Sequence, residues 1–178
     1  MHRDIKKVLF TARIIRQRVR LLGREISRAY RGQELVLVGV ANGALVFLSD
    51  LIRSISVPIK IDLIRVKSYG EKTISSGMVT ITKDIEIEIA RKNVIIVEDI
   101  IDTGLTMDFI VRHLKEKGLA SIEICALLDK TSARKTEIKI NYSGFAVEKE
   151  FVVGYGLDYA ENYRHLPYIG VLKPEVYS

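Results

Sequence analysis

The chain has 178 residues, of which 48% are hydrophobic and 28% are charged, and its formal net charge of +6 suits an anionic partner. Its single cysteine, Cys125, excludes a disulfide framework, and the longest apolar stretch, 35–48, is too short and too interrupted by glycine and asparagine to span a bilayer. The first ten residues lack the apolar core of a signal peptide, so we expect one soluble, cytoplasmic domain over residues 1–178.

Basic residues are concentrated in the N-terminal third of the chain. They are Arg3, Lys6, Lys7, Arg13, Arg16, Arg18, Arg20, Arg24, Arg28 and Arg31. A basic balance fits nucleic acid or a phosphorylated small molecule and does not choose between them. On a helix, this spacing is more often a solvated face than a binding patch.

The first part of the chain alternates helix and strand patterns. Residues 11–30 carry an apolar residue at each helical turn and predict a helix with one buried stripe. The continuous apolar run 35–40 predicts a strand covered on both faces, and a loop at 41–43 leads to a predicted helix at 44–55. Pro58 ends that segment, and 59–66 predicts a second strand.

The segment 67–82 has little periodicity and predicts a long mobile loop with a short strand at 79–82. Loops of this length are often lids or binding loops. The acid–isoleucine alternation of 84–89 predicts a short, half-exposed strand.

The rest of the chain continues the strand and helix rhythm. Strands are predicted at 94–97, 122–128 and 151–153, and a helix at 107–114 that stops at Gly118. The alternation predicts an α/β fold with a central parallel β-sheet flanked by helices, as in Rossmann-like proteins. We expect a core at about 11–155 and a small hood formed by the terminal segments, 1–10 and 156–178.

Two adjacent acids, Glu98 and Asp99, follow the apolar residues 94–97. In an open α/β sheet, ligands bind beyond the carboxyl ends of the strands. Adjacent carboxylates repel each other and need cations, water or hydroxyl donors. A metal-bound diol, such as the ribose of a sugar phosphate, would satisfy both. Because neighbouring side chains on a strand point in opposite directions, we expect the two acids to have different partners.

A turn with the sequence Asp-Thr-Gly-Leu-Thr, residues 102–106, then opens a helix. Unpaired N–H groups at a helix start bind anions, and the hydroxyls of Thr103 and Thr106 add donors, so the turn is a candidate phosphate site. It is not a P-loop, since it has no lysine. Asp102 could instead be an ordinary helix cap. The turn alone does not decide between capping and function, but the acid pair before it favours function.

The segment VIIVEDIIDTGLT, residues 94–106, resembles the phosphoribosyl-pyrophosphate binding motif of type I phosphoribosyltransferases. Its E-D-I-I-D-T-G form is similar to the hypoxanthine and hypoxanthine-guanine branch in particular. Four other segments of that branch occur in the same order, namely 68–70, 127–130, 151–159 and 163–164.

The resemblance implies a purine salvage enzyme that transfers the 5-phosphoribosyl group from phosphoribosyl pyrophosphate to N9 of hypoxanthine or guanine, with Mg²⁺ as cofactor. It implies that Glu98 and Asp99 hold the ribose hydroxyls, directly or through the metal, and that Asp102 accepts the proton of purine N7. The phosphate would be held by Thr103, Gly104, Leu105 and Thr106.

The resemblance also implies a purine site. Lys130 would donate to the 6-oxo group, Phe151 would offer a ring face, the Val152 backbone would read the base edge, and Leu157 and Asp158 would complete the pocket, with Asp158 as a further magnesium ligand. Pyrophosphate would contact Asn42, Gly43 and Arg164, and Ser68 and Tyr69 would form a lid.

One position departs from the family pattern. The loop after the first strand often reads L-K-G, whereas this chain has Ala41-Asn42-Gly43, so a positive charge is missing and the affinity for pyrophosphate is in doubt. The family also implies a homodimer or homotetramer.

Two alternatives stay open at the level of sequence. The same fold could serve an RNA-binding regulator, although the presence of Lys130, Phe151 and Asp158 argues against a nucleic-acid partner. The enzyme could also act on another purine, such as xanthine or adenine, and the sequence does not rank hypoxanthine, guanine and xanthine.

Overall fold

The computed structural model describes residues 1–69 and 78–177, with only the backbone described for Ser68, Tyr69 and Met78. The strands are β1 Ile5–Phe10, β2 Leu35–Ala41, β3 Ile59–Tyr69, β4 Met78–Lys83, β5 Asn93–Ile101, β6 Ser121–Asp129, β7 Tyr142–Ala146, β8 Val152–Val153 and β9 Ile169–Leu172. The helices are α1 Ala12–Ala29, α2 Leu45–Ile52, α3 Leu105–Lys115 and the short α4 Pro174–Tyr177, with a 3-10 turn at Thr131–Ala133.

The main sheet has the strand order β4-β3-β2-β5-β6-β7, and every pair in it is parallel except β3 with β4. Helices α1 and α2 pack on one face, over a core that includes Leu37 and Val97. Helix α3 packs on the other face, over a core that includes Val38 and Ile96. Because both faces are covered, the central strands carry continuous apolar runs, and the predicted α/β fold is confirmed.

A second, antiparallel sheet of order β1-β9-β8 joins the two ends of the chain. Strand β1 pairs with β9, and β9 pairs with β8. The predicted strand at 151–153 therefore exists as Val152–Val153, but it belongs to this hood sheet and not to the main parallel sheet. Pairing between distant segments decides this placement, and no local pattern encodes it.

The direction of chain winding reverses between β2 and β5. From β2 the chain moves to β3 on one side, and from β5 it moves to β6 on the other. The β2–β5 ladder ends at the pair Gly39–Val97, whereas the β5–β6 ladder continues to Ile101–Asp129. The two strands thus separate at their carboxyl ends and open a crevice, which is where α/β sheets bind ligands.

Helix α1 matches its prediction closely. The hydroxyl of Thr11 accepts a hydrogen bond from the N–H of Ile14 at 3.4 Å and caps the helix. Its buried residues are those of the predicted stripe, together with Gly23, where a Cβ would overlap the backbone of Ser54. Gly23 therefore lets α1 lie against the end of α2, which stops at Ile52, before the predicted residue 55.

Three further predictions, all about strands, differ from the structure. Residues 84–89 form no strand, because the carboxylate of Asp62 accepts hydrogen bonds from the N–H groups of Glu86 and Ile87, at 2.6 and 3.0 Å, in place of a strand partner. The isoleucines alternate there because Ile85, Ile87 and Ile89 pack against the α3 core. Strand β3 extends through Tyr69, so the predicted loop begins too early at 67, whereas the predicted short strand at 79–82 is confirmed as β4.

The third error is at β5, which continues through Ile101 and so contains the acid pair. The strand β7 was not predicted. The predicted lid residues Ser68 and Tyr69 have side chains outside the described residues. Within residues 1–69 and 78–177, none of the helices combines the length and the hydrophobicity needed to cross a bilayer.

Candidate active site

The acid pair lies in β5 at the point where β2 has separated from it. Glu98 is only 8% exposed, and its Oε1 accepts a hydrogen bond from the N–H of Asp99 at 3.2 Å. Oδ1 of Asp99 accepts from the N–H of Ile100 at 2.8 Å. Burial and the neighbouring Asp99 raise the pKa of Glu98 well above its usual range. The two acids therefore interact with each other.

Burial also raises the pKa of Asp99, although its hydrogen bond with Glu98, the Ile100 N–H and the charge of Arg164 oppose the rise. Burial of two adjacent carboxylates is unfavourable, and a cation or a set of hydroxyl donors would relieve it. This is the electrostatic behaviour expected of a site for a metal-associated diol.

The loop after β2 lies directly on the acid pair. A Cβ at Gly43 would overlap the carboxylate of Asp99, and a Cβ at Gly156 would overlap the carbonyl oxygen of Gly43. The peptide bond between Ala41 and Asn42 is cis. The backbones of the loop after β2 and of the hood loop therefore meet at Gly43, against the side chain of Asp99 from β5, which puts the predicted pyrophosphate loop beside the predicted ribose site.

The phosphate turn leads into α3, whose N-cap is Gly104 with φ of 85°. Glycine suits this left-handed conformation, and a Cβ would also lie 3.0 Å from the carbonyl oxygen of Thr136. Asp102 makes no cap hydrogen bond, so the alternative of an ordinary N-cap aspartate is wrong. Instead, the hydroxyl of Thr103 accepts from the N–H of Leu105 at 3.4 Å.

The carbonyl groups of this turn face away from the crevice. The oxygen of Thr103 accepts from the N–H groups of Lys135 and Thr136 at 2.9 and 3.2 Å, and the oxygen of Asp102 accepts from Arg134 Nε at 3.1 Å. In a planar trans peptide, the N–H points opposite to the carbonyl. The N–H groups of Thr103 and Gly104 consequently point toward the crevice, where no described residue accepts from them.

Arg134 is a site residue that the sequence analysis missed. Besides Asp102, its guanidinium donates to the carbonyl of Ile101 at 3.4 Å and forms an ion pair with Asp129. Its side chain is only 17% exposed. Arg134 therefore links the end of β6, at Asp129, to the end of β5 and to the phosphate turn, on the side away from the crevice. A lone arginine in a polar loop has no local signature, although its position four residues after Lys130 could have drawn attention to it.

These elements enclose a cavity of about 230 Å³. Its lining contains the predicted phosphoribosyl-binding residues except Leu105: Glu98, Asp99, Asp102, Thr103, Gly104 and Thr106, with Ile100, Ile101 and Met107. The side chain of Leu105 does not line the cavity, so this residue could contribute only through its backbone.

A second cavity, of about 210 Å³, adjoins the first. It is lined by Asp99, Ile100 and Asp102, which both cavities share, and by Lys130, Glu150, Phe151, Val152, Leu157 and Asp158. The fold thus brings all the predicted purine-binding residues together around one space. Glu150 was not predicted, and its carboxylate also pairs with Lys7 of β1.

Asp102 lies at the junction of the two cavities. Its Oδ2 is 3.3 Å from Nζ of Lys130, and its Oδ1 is buried and lacks a hydrogen-bond partner among the described residues. A buried acceptor without a donor is costly, so a free oxygen here is suited to a ligand that brings a proton. Lys130 is held by its own N–H, which donates to the carbonyl of Ile101 at 3.0 Å.

Phe151 is held by two tyrosines. The ring of Tyr177, in α4, stacks on it with centroids 4.8 Å apart and planes at 21°, and Tyr159 meets it edge-on at 5.5 Å. Neither tyrosine lines the second cavity. The C-terminal segment therefore supports the aromatic side chain that the cavity presents.

The remaining predicted residues form a cluster at the rim. Arg164 pairs with Asp158 at 2.9 Å and with Glu161 at 3.1 Å, and it donates to the carbonyl of Gly156 at 2.8 Å. Asp158 also accepts from the N–H of Glu161 at 2.9 Å. Asn42 makes no side-chain contact with this cluster. Across residues 1–69 and 78–177, no group of three or more His, Cys, Asp or Glu side chains forms a ready-made metal cage.

A larger cavity, of about 440 Å³, lies at the opposite edge of the sheet. It is bounded by residues 32–36 and 58–60, at the amino ends of β2 and β3. None of the predicted site residues lines it, and ligands of α/β sheets bind at the carboxyl edge. We therefore assign the chemistry to the two smaller, polar cavities.

The comparisons with known proteins agree with this geometry. Residues 7–160 match the phosphoribosyl transferase domain. The chain is 48% identical over 178 residues to the hypoxanthine-guanine phosphoribosyltransferase of Bacillus subtilis, with all of this chain and 99% of that one covered. A crystal structure of a hypoxanthine phosphoribosyltransferase from Staphylococcus aureus has a TM-score of 0.96 and 47% identity, and the match covers 100% of this chain and 97% of that one.

The chain is also 46% identical, over 178 residues, to the bifunctional protein TilS/HprT of Listeria monocytogenes, of which it spans 28%. The match to the domain family covers most of the chain, from β1 through the hood segment that follows β8. Together with the relatives of nearly equal length, it shows that this chain belongs to the phosphoribosyl transferase domain family.

Proposed function

We propose that this chain transfers the 5-phosphoribosyl group of phosphoribosyl pyrophosphate to N9 of hypoxanthine or guanine, giving inosine or guanosine monophosphate and pyrophosphate. The observation that carries the proposal is the junction at Asp102. One polar cavity suited to a sugar phosphate and one suited to a planar base meet at a carboxylate whose buried oxygen lacks a donor.

The phosphate end of the substrate would be held by the turn before α3. The inward N–H groups of Thr103 and Gly104, the hydroxyl of Thr106 and the start of the helix dipole all favour an anion. Glu98 and Asp99 would accept hydrogen bonds from the two ribose hydroxyls, which would satisfy these buried carboxylates. The sugar would thus be fixed with its C1 toward the second cavity.

At the base end, Lys130 would donate to the 6-oxo group of the purine, while Phe151 and Leu157 would enclose its faces and the Val152 backbone would read its edge. As N9 bonds to C1 and pyrophosphate leaves, the purine becomes more acidic at N7. Oδ1 of Asp102 would accept that proton, while its Oδ2 lies 3.3 Å from the ammonium of Lys130. Catalysis would otherwise be positioning and charge stabilisation.

The residues present fit Mg²⁺ as a substrate-borne cofactor. Magnesium in such sites is usually held by one or two carboxylates plus substrate oxygens, and Asp99 and Asp158 both line the second cavity. When bound, Mg²⁺ would neutralise the negative charge of the pyrophosphate leaving group. Arg164, together with the loop at Asn42 and Gly43, would contact the pyrophosphate. Ser68 and Tyr69 would close over the site and exclude water.

We further propose that the protein works in the cytoplasm as a homodimer or homotetramer. Its partners would be small molecules, with no role for a membrane or for nucleic acid. Size-exclusion chromatography with light scattering would test the oligomeric state, and a monomer at micromolar concentration would contradict it.

The reaction can be tested in one assay. The full chain is mixed with Mg²⁺ and phosphoribosyl pyrophosphate, and each of hypoxanthine, guanine, xanthine and adenine is added separately while nucleotide formation is followed. We expect product with hypoxanthine or guanine, and none when the magnesium is chelated. The absence of product with all three 6-oxopurines would overturn the proposal, and product with xanthine alone would move it to a different substrate.

A further inference from the structure

A third polar cavity, of about 210 Å³, lies between helices α1 and α2. It is lined by Arg16, Val19, Arg20, Asp50, Arg53 and Ser54. None of these residues lines either cavity of the active site. Three guanidinium groups surround this space, and only one carboxylate is present.

That carboxylate is already engaged. Oδ2 of Asp50 accepts a hydrogen bond from the hydroxyl of Tyr155 at 2.6 Å, and Oδ1 pairs with Arg53. Tyr155 is 7% exposed, so its hydroxyl depends on this bond. Asp50 therefore holds the hood loop through Tyr155 and pairs with Arg53, and it forms no ion pair with Arg16 or Arg20.

Arg16 and Arg20 have no ion pair or hydrogen bond with any residue in the described part of the chain. They stand one helical turn apart on α1, and Arg24 continues the same row. Like charges at this spacing destabilise a helix. The only acid in α1 is Glu25, which pairs with Arg18. The row therefore carries a repulsion that no ion pair with another described residue relieves.

The cavity has a defined shape. At one end, Gly23 brings α1 into contact with the backbone of Ser54, which closes the space between the helices. The buried side chain of Val19 forms part of its floor. An arginine fork binds phosphate oxygens in a bidentate geometry, and two forks one turn apart can hold two neighbouring phosphate groups. Because the arginines are exposed, the cavity is an open cleft that a solute can enter from solvent.

We propose that this cavity is a second anion site, separate from the active site, that binds a small molecule with linked phosphate groups through Arg16, Arg20 and Arg53. A nucleic-acid backbone would be better served by a long stripe of cations than by a single short cleft. The small volume of about 210 Å³ therefore favours a small polyphosphate.

The test is isothermal titration calorimetry of the full chain with sodium tripolyphosphate, in buffer containing a chelator. We expect the variant R16Q/R20Q to bind one tripolyphosphate fewer per chain than the unmodified protein, or to bind it at least tenfold more weakly. The matched control is R13Q/R24Q, which removes two exposed arginines from the same helix outside the cavity and should keep the binding. Circular dichroism would verify that the variants are folded, and R20Q alone serves if the double variant is not.

A second variant separates this site from the active site. Arg164→Gln alters the proposed pyrophosphate contact, and binding of tripolyphosphate to the helical cavity should survive in it. Unchanged binding in R16Q/R20Q would overturn the proposal, and an equal loss in R13Q/R24Q would show only a diffuse charge effect and overturn it too. Displacement of tripolyphosphate by single-stranded RNA, with affinity rising with RNA length and depending on the same arginines, would replace it with a nucleic-acid surface.

Discussion

The two cavities of the active site share Asp99, Ile100 and Asp102, yet the chain builds them in different ways. The phosphate cavity is lined by one continuous stretch, 98–107, that runs from a strand through a turn into a helix. The base cavity combines that stretch with Lys130 after β6 and with the separate segments 150–152 and 157–158. A contiguous site needs only local geometry, whereas a composite site depends on how distant segments pack.

The supports of the two cavities differ as well. The phosphate turn is held from behind by Arg134 and the N–H groups that follow it. The base cavity is held by the hood sheet and by Tyr177 near the C-terminus. Mutations at Arg134 should therefore affect phosphoribosyl pyrophosphate, and mutations at Tyr177 should affect the base.

The largest expected effect is at the shared residue. Asp102→Asn keeps the size of the side chain but removes the carboxylate that accepts the proton, so turnover should fall by roughly 10²–10⁴-fold, the range for general base catalysis. The KM for phosphoribosyl pyrophosphate should change little. Steady-state kinetics would measure both, with Asp108→Asn in the first turn of α3 as control. Unchanged turnover would remove Asp102 from this role.

A smaller effect is expected at the support of the phosphate turn. Arg134→Ala leaves the carbonyl of Asp102 without its donor, removes one of the two donors to the carbonyl of Ile101 and frees the turn, so the KM for phosphoribosyl pyrophosphate should rise by about tenfold or more. The KM for the base should stay close to normal.

The control for Arg134→Ala is Arg112→Ala, whose guanidinium is exposed and pairs only with Asp108. An equal rise in both KM values would show that the two supports are not separate. A thermal melt distinguishes this outcome from loss of the folded protein.

Lys130→Met should affect the base and not phosphoribosyl pyrophosphate, the reverse of Arg134→Ala. It removes the donor to the 6-oxo group, so the preference of kcat/KM for hypoxanthine over adenine should fall by about tenfold. The KM for phosphoribosyl pyrophosphate should be retained. Lys139→Met, at an exposed position, is the control. An unaltered base preference would contradict the assignment of Lys130.

The smallest effect is expected at the aromatic support. Tyr177→Ala removes the ring stacked on Phe151, and such a pair is worth roughly 0.5–1.5 kcal/mol, so the KM for the base should rise by about two- to tenfold. Tyr177→Phe retains the ring and should behave normally. If both variants match the unmodified protein, the C-terminal segment has no part in holding the base cavity.

The same contrast explains what the sequence could predict. The strands 35–40 and 94–97 and the helix α1 are encoded by local apolar patterns, and the contiguous motif 98–106 was readable from its residue types. Strand β7 was missed because it is a half-buried edge strand whose Gly144 approaches the backbone of Leu127 too closely for a side chain. Close approach between distant segments leaves no periodic signal.

Long-range pairing accounts for the other errors. The alternation of acids and isoleucines in 84–89 reflects packing of one side against the core. However, the carboxylate of Asp62, more than twenty positions earlier, accepts hydrogen bonds from the N–H groups that would pair with a neighbouring strand. The hood location of Val152–Val153 depends on β9, and the role of Arg134 depends on carbonyls of a turn about thirty residues away. The purine residues were placed through the family resemblance, since no local pattern connects them.

The contact of Gly156 with Gly43, and of Gly43 with Asp99, has a consequence for protein engineering. A designer who remodels residues 154–157 to accept a new base will displace the loop after β2, because there is no space between these backbones to absorb the change. The displaced loop would then push against the carboxylate of Asp99, which we propose binds the ribose. Libraries for altered base preference should therefore vary the backbone around residues 41–43 together with the hood loop.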